Sequence, residues 1–189
     1  MPGHPSPRRI DLVALAICVL LPTLAYLPTL GYGFVFDDLP LLIENPLIRD
    51  PASLAEAFTT DLDPRARVFE SATTNYLRPL FILLAAAVHD LAGTEPWGWH
   101  LAAITLHGVI CAVAFGLLRG CGLSSLSALL ATLVFALHPA HVQSVAWVSG
   151  LQDLLMALLS LLGSWALLHA ARADRPSPAR LAPLSLAYT

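Results

Sequence analysis

The stretch IDLVALAICVLLPTLAYLPTL, residues 10–30, decides the fold class. The hydrocarbon core of a bilayer is ~30 Å thick, and a helix needs about 20 mostly apolar residues to cross it. We therefore predict a membrane-spanning helix over residues 10–30. Residues 97–118 and 145–171 are of the same kind, and the shorter apolar stretch 123–140 predicts a further crossing.

The composition agrees with a membrane protein. Hydrophobic residues make up 57% of the chain and charged residues only 12%, with a mean hydropathy of +0.70. Soluble domains have about 25% charged residues. The sequence predicts an all-α integral membrane protein with about four transmembrane helices. The net charge of -3 is too small to indicate a nucleic-acid partner. The use of Arg without Lys, together with abundant Ala, Leu and Pro, is typical of a GC-rich bacterial genome.

The arginines orient the spans. With four crossings, one side of the membrane receives every arginine that flanks a span, namely Arg8, Arg9, Arg119, Arg172, Arg175 and Arg180. The positive-inside rule makes that side the cytoplasm. Residues 1–9 and 172–189 are then cytoplasmic, the latter with the start of a further apolar segment, and the loop 31–80 lies outside. Cleavage of residues 10–30 as a signal peptide is the alternative, which Tyr26 and Leu27 after the Thr23-Leu24-Ala25 site disfavour.

The outer loop is acidic. Residues 31–78 contain eight of the thirteen acidic side chains, including the adjacent pair Asp37 and Asp38. Adjacent carboxylates can bind a divalent cation, or one can accept a proton while the other holds the geometry. A solvated turn is the competing interpretation. Residues 81–95 are too short to span and predict an interfacial or re-entrant helix.

A short helix is predicted inside this loop. Asp50 is placed to cap its start and Pro51 to occupy its first turn. On an α-helix, Leu54, Ala57 and Phe58 share one face, which could rest on the membrane.

Tyr76 and Arg78 lie where the outer loop re-enters the membrane. A guanidinium group binds phosphate with a planar fork, which predicts a phosphate contact for Arg78. The alternative is an interfacial Arg that snorkels beside an aromatic anchor.

Further polar residues accompany the later spans. On a helix, His138 and His141 would share one face, as metal ligands require, although Pro139 between them favours interfacial hydrogen bonding instead. His100 and His107 share a face of span 97–118, and Asp153 lies near the outer start of span 145–171. Polar residues within spans face the bundle interior, so all three are candidates for packing or for substrate contact.

Several motifs, taken in their order along the chain, resemble those of a known family. They are FVFDD (34–38), NP (45–46), YLRPL (76–80), PWGWH (96–100) with His107, and HPAHVQSVAW (138–147) followed by DLL (153–155). Together they resemble the amino-terminal membrane region of the transmembrane-and-tetratricopeptide-repeat protein O-mannosyltransferases and their bacterial relatives, which belong to the GT-C class of glycosyltransferases. The resemblance runs from about Gly31 to about Leu168.

The resemblance implies a transferase that takes a sugar, such as mannose, from a polyprenyl-phosphate donor in the membrane and passes it with inversion to a hydroxyl of a protein or another acceptor. The reaction would take place on the outer face of a bacterial cytoplasmic membrane. It implies Asp37 as the base, and Asp38 as its support or as a ligand of Mg²⁺ or Mn²⁺. Contacts to substrate would come from Tyr76, Arg78, His100, His107, His138, His141 and Asp153.

The sequence departs from the family pattern, and these departures lead to alternative functions. Relatives often have an acid at the position of Gln143 and basic residues near Gln152, and both are neutral here. No tetratricopeptide repeats are visible. A truncated or diverged non-catalytic scaffold of the same family is therefore the alternative, and a small transporter subunit is a third hypothesis.

Overall fold

A computed structural model describes residues 7–60, 62 and 77–172, and these residues form helices with no β-strand among them. The α-helices are α1 (Pro7–Tyr26), α2 (Pro46–Arg49), α3 (Pro79–Ala92), α4 (Pro96–Gly120), α5 (Ser125–Ala136), α6 (His141–Ala146) and α7 (Leu151–Arg172). Short 3-10 helices cover Leu27–Gly31, Pro51–Phe58 and Val148–Gly150, and one π-helical turn covers Leu39–Ile43. The predicted all-α fold is confirmed.

In the described part of the chain, three helices are long and apolar enough to cross a bilayer, namely Arg8–Gly31, Pro96–Gly120 and Val148–Arg172. They coincide with three of the predicted spans, so the chain is an all-α membrane protein. α5 has 12 residues instead of the 18 predicted over 123–140, which gives a length of about 18 Å. Its crossing of the membrane stays a prediction, as does the orientation, and residues 173–189 lie outside the described part.

Local signals explain where the shorter helices begin and end. Pro79 occupies the first turn of α3, where its missing N–H costs no hydrogen bond. The same helix ends at Gly93, whose φ of 58° is a backbone conformation that favours glycine. α5 begins after Ser124, whose side chain accepts a hydrogen bond from the N–H of Ser127 at 3.1 Å.

The chain divides into two compact units. The first unit comprises Met1–Leu27, Ile104–His141 and Asp153–Thr189, and the second comprises Pro28–Ala103 and Val142–Gln152. In the first unit, small side chains let helices approach closely, and its buried core contains Ala14, Cys18, Phe115 and Ala128.

An ion pair ties three helices of the first unit. The Arg119 guanidinium at the end of α4 donates to both carboxylate oxygens of Asp11 on α1, at 2.9 and 3.1 Å. The Ser125 hydroxyl at the start of α5 donates to the same carboxylate at 2.5 Å. The ion pair explains how Asp11, a charged residue, can lie inside the first apolar stretch, because the side chain of Arg119 pairs with it at the helix ends.

In the second unit, Asn45 organises the segment after the Asp pair. Its buried amide donates to the carbonyl oxygens of Leu41 and Leu62, both at 3.0 Å, and its side-chain oxygen accepts from the N–H of Leu47 at 3.1 Å. Every described contact of this amide is to backbone, so it fixes the chain path from residue 41 to 62.

The predicted cap at Asp50 is confirmed, since its carboxylate accepts from the N–H of Ala52 at 2.9 Å. The helix that follows is 3-10 instead of α-helical. With three residues per turn, Leu54 and Ala57 align but Phe58 turns away. Accordingly Ala57 is buried and Phe58 is exposed, so the predicted shared face of all three residues was wrong.

Candidate functional site

The Asp pair lies in a tight turn of the second unit, residues 35–38, which we call the acidic turn. The N–H of Asp38 donates to the carbonyl oxygen of Val35 at 3.0 Å and closes the turn. Phe36, inside it, has a φ of 48°. This left-handed conformation is rare for a bulky L-residue and strains the backbone. The strained turn places two adjacent carboxylates in different surroundings.

The Asp38 carboxylate is completely buried and held by three donors. One oxygen accepts from the backbone N–H of Ser149 at 2.8 Å and from the Ser149 hydroxyl at 2.6 Å. The other oxygen accepts from the N–H of Val35 at 2.9 Å. Hydrogen bonds to a carboxylate are short and strong, and together they offset the cost of burying its charge. Asp38 is therefore built into the turn as a fixed anion.

Asp37 is half-buried, in contrast to Asp38. Its backbone carbonyl accepts from the N–H of Leu41 at 2.9 Å, which joins the acidic turn to the π-helical turn that follows. Of the two carboxylates, Asp37 is the one that an outside molecule can reach. The geometry is consistent with the predicted division between a reacting and a supporting carboxylate, and the assignment itself stays a prediction.

The donors around Asp38 do not fit a metal ion, because N–H and O–H groups direct their positive ends at both carboxylate oxygens. In the described part of the chain, no group of three or more His, Cys, Asp or Glu side chains is placed to hold a metal. The predicted Mg²⁺ or Mn²⁺ site stays a prediction for Asp37.

One short segment, residues 148–152, contacts two of the predicted site residues. Ser149 binds Asp38, and three residues later the side-chain oxygen of Gln152 accepts from the Arg78 guanidinium at 2.6 Å. A Cβ on Gly150 would lie 2.7 Å from the carbonyl oxygen of Gln143, so only glycine fits there. The 148–152 segment thus positions Asp38 and Arg78 in the same unit.

Arg78 itself is half-buried, and one of its side-chain partners is the amide of Gln152. This hydrogen bond holds the guanidinium of Arg78 beside the 148–152 segment. A snorkelling Arg would instead direct its charge into the headgroup layer. The predicted phosphate contact of Arg78 stays a prediction.

Ser149, Gly150 and Gln152 were not singled out as site residues from the sequence. The signal available was the Ser-Gly pair at 149–150 near the start of span 145–171, where a glycine marks a close backbone approach. In the sequence, Gln152 is distinguished only as a neutral departure from the family pattern.

His100 is buried in the second unit with Asp38. Its ring meets the edge of the Tyr32 ring at 6.2 Å, and it interacts electrostatically with the Asp38 carboxylate. Neither ring nitrogen has a hydrogen-bond partner of good geometry among the described residues, although the backbone of Tyr32 and Gly33 lies close by. His100 therefore lines the buried side of the carboxylate.

The other predicted site histidines, His107, His138 and His141, belong to the first unit, where His107 and His141 form an aromatic cluster. The buried His107 ring packs against Tyr26 and His141, each with ring centroids 5.5 Å apart. Its Nε2 lies 3.0 Å from the carbonyl oxygen of Ala136. A carbonyl only accepts, so this nitrogen carries the proton. The contacts give His107 a packing role, and its predicted contact with substrate is untested.

His138 and His141 do not lie on one helix, so the shared face that metal ligands require is absent, and hydrogen bonding was the alternative that Pro139 favoured. Residues 138–140 form a turn closed by the N–H of His141 donating to the carbonyl oxygen of His138 at 3.0 Å. The cause is Pro139, which disfavours helix at the residue before it. The His141 ring packs on Phe135 at 4.5 Å, whereas His138 is exposed and its Nδ1 accepts from the N–H of Ala140.

Burial lowers the pKa of His141, and the charge of nearby His138 lowers it further. The shift in pKa favours the neutral form of the His141 imidazole.

Asp153 is exposed in the first turn of α7. A carboxylate there is stabilised by the helix dipole. This stabilisation is a structural explanation for an acid at position 153, beside the predicted contact with substrate. Tyr76 lies outside the described residues. How His138, His141 and Asp153 relate to the acidic turn stays a prediction.

Comparison with known proteins bears on the resemblance found in the motifs. Protein O-mannosyl-transferase Tmtc1 of Drosophila melanogaster is 34% identical to this chain over 152 residues, which is 80% of this chain. The chain is similar to protein O-mannosyl-transferases. Protein O-mannosyl-transferase F38B6.6 of Caenorhabditis elegans is 31% identical over 169 residues, or 85% of this chain, and protein O-mannosyl-transferase TMTC4 of Mus musculus is 35% identical over 143 residues, or 68%.

These O-mannosyl-transferases are much longer proteins. The similarity covers 18%, 24% and 19% of their respective lengths, so the chain spans less than a quarter of each. No protein-family model matches the chain, and no solved structure matches it. The similarity supports the resemblance to O-mannosyl-transferases that the ordered motifs predicted.

Proposed function

We propose that this chain carries part of the active site of a membrane glycosyltransferase of the GT-C type. The enzyme would move a sugar, mannose if it follows the names of its relatives, from a polyprenyl-phosphate donor to a hydroxyl of a protein acceptor. The reaction would occur on the outer face of a bacterial cytoplasmic membrane, next to the span that ends at Gly31. Later helices and tetratricopeptide repeats would complete the enzyme.

In the proposed reaction, Asp37 accepts the proton of the acceptor hydroxyl. The acceptor oxygen then bonds to the anomeric carbon of the sugar while the bond from that carbon to the phosphate oxygen breaks. Attack opposite the leaving group inverts the anomeric centre. The polyprenyl phosphate leaves with the bonding electron pair, and the Arg78 guanidinium offsets its negative charge.

Asp38 acts in this scheme as a positioning residue. Its carboxylate is tied to Ser149 and Val35 and so cannot swing toward the acceptor. It holds the acidic turn in the strained form that presents Asp37. Gln152 does the same for Arg78, through the 2.6 Å hydrogen bond.

The observation that carries the proposal is the buried, triply hydrogen-bonded Asp38 beside a more accessible Asp37, in a chain similar to O-mannosyl-transferases. A solvated surface turn, the competing interpretation of the Asp pair, would not bury one carboxylate and bind it to a residue 111 positions away. Such a connection has a cost in desolvation that a mere turn does not require.

The test is Asp37→Asn in the full-length protein, reconstituted with a mannosyl polyprenyl phosphate and an acceptor polypeptide. Removing a general base lowers turnover by about 10²–10⁴-fold. Glu56→Gln is the matched control, because Glu56 is an exposed carboxylate of the same loop whose side chain makes no described contact with the acidic turn. Sugar transfer is measured as label incorporated into the acceptor.

Turnover by Asp37→Asn equal to that of the wild type would refute the role of Asp37 as the base. If neither the wild type nor any variant transferred sugar while all folded, the non-catalytic scaffold would replace the enzyme as the better account.

A further inference from the structure

Phe36 is unusual on two counts. Its φ of 48° is a conformation that glycine adopts readily and that a bulky side chain resists. Its side chain is also 89% exposed. Both features cost free energy, and no contact of its own side chain within the described chain compensates for them. A phenylalanine held in this way indicates that something outside the chain covers the ring.

The residues around Phe36 in the sequence are apolar and exposed as well. Tyr32, Val35 and Leu39 have exposed fractions of 54%, 47% and 45%. We call these three residues and Phe36 the apolar patch. None of the four carries a charge, so the patch fits a hydrocarbon or interfacial environment better than a polar partner.

The position of the patch in the chain indicates which environment that is. The first apolar span ends at Gly31, and Phe36 follows five residues later. At ~3.5 Å per residue, the ring's attachment point lies within about 18 Å of the span end even if the chain is fully extended. Headgroup layers add about 5–8 Å on each side of the hydrocarbon core, and aromatic side chains concentrate there.

We propose that the apolar patch is a membrane anchor: Phe36 inserts into the lipid interface and sets the depth of the acidic turn. The partner is the lipid surface itself. Asp38 and Phe36 then fix the turn from opposite sides, one through hydrogen bonds to protein and the other through contact with lipid. This inference goes beyond the proposed function and holds whether or not Asp37 acts as a base.

A spin-label experiment on the chain in liposomes tests the anchor. A nitroxide is attached to Phe36→Cys in a Cys121→Ser background, since Cys121 is the exposed native cysteine whereas Cys18 and Cys111 are buried. Its accessibility to oxygen, which concentrates in lipid, is compared with that to a water-soluble nickel complex. Leu24→Cys, exposed within the first span, gives the lipid reference, and Glu56→Cys gives the aqueous reference.

The expected result is an oxygen-to-nickel accessibility ratio at position 36 shifted from the Glu56 reference toward the Leu24 reference. A ratio equal to that at position 56 would overturn the proposal. So would a label shielded from both reagents, because that result would mean that protein covers the ring.

A second measurement tests whether Phe36 sets the depth. With the label at Leu39→Cys, Phe36→Ser should raise access of the nickel complex, because the turn loses its anchor. Phe58→Ser is the matched control, since Phe58 is also an exposed phenylalanine of the second unit. An unchanged label, or an equal shift from both variants, would refute a specific role for Phe36.

Discussion

Replacing Ser149 with Ala tests the connection that holds the acidic turn. The Ser149 hydroxyl lies 2.6 Å from the Asp38 carboxylate, and both residues are buried. A hydrogen bond to a charged group contributes about 1.5–3 kcal/mol to stability. The backbone N–H of Ser149 keeps its own bond to Asp38, so we expect Ser149→Ala to lower the free energy of unfolding by about 2 kcal/mol. This corresponds to a factor of about 30 in the unfolding equilibrium.

Unfolding is measured by titrating SDS into detergent micelles and following the fluorescence of the four tryptophans. Ser164→Ala is the control, because its hydroxyl donates to the neutral carbonyl of Ser160 at 2.9 Å, and we expect a loss below about 1 kcal/mol. The loss from Ser149→Ala should also shrink to that level in an Asp38→Asn background. If Ser149→Ala cost no more than Ser164→Ala, or if its cost were the same beside Asn at position 38, the charge-assisted bond would not exist.

Two further predictions concern stability. Gly150→Ala should lower the free energy of unfolding by about 2 kcal/mol, because its Cβ would lie 2.7 Å from the carbonyl oxygen of Gln143. The control Gly33→Ala has open space around its Cβ and should leave the free energy of unfolding unchanged in the same SDS titration. Equal losses of stability from the two variants would contradict the close approach at Gly150. Burial and the charge of His138 lower the pKa of His141, so the unfolded chain binds more protons than the folded one, and the free energy of unfolding falls as pH drops below about 6.5. His141→Phe should reduce that fall between about pH 7.5 and 5.5, and an unaltered pH dependence would refute the pKa argument.

The sequence predicted the helices well wherever the signal was local. Three predicted spans coincide with the long apolar helices: residues 10–30 with Arg8–Gly31, 97–118 with Pro96–Gly120, and 145–171 with Val148–Arg172. An uninterrupted apolar stretch is enough to indicate a spanning helix. The N-cap at Asp50 was equally predictable from the sequence, because a capping side chain acts on the backbone two residues away.

Local patterns did not settle the type of helix. Residues 51–58 have the spacing of an α-helix but form a 3-10 helix, which turns Phe58 away from Ala57. His138 and His141 have metal-ligand spacing on a helix, yet the proline between them leaves a turn. A change of helical pitch altered the side-chain directions in residues 51–58, and a proline altered them at His138 and His141.

The candidate site was predictable only in part. The motifs identified Asp37, Asp38 and Arg78, but not what holds them. Asp38 meets Ser149 across 111 residues, and Arg78 meets Gln152 across 74. Contacts at such separations depend on tertiary packing, and a single sequence gives no periodicity or spacing from which to read them.

The ion pair between Asp11 and Arg119 has a consequence for how the protein is made. The two residues are 108 positions apart. At a synthesis rate of about 5–20 residues per second, the ribosome adds Arg119 roughly 5–20 s after Asp11. During that interval the carboxylate in the first span lacks that partner. Arg8 lies one turn earlier on the same helix face and can shield the charge until the later helix arrives.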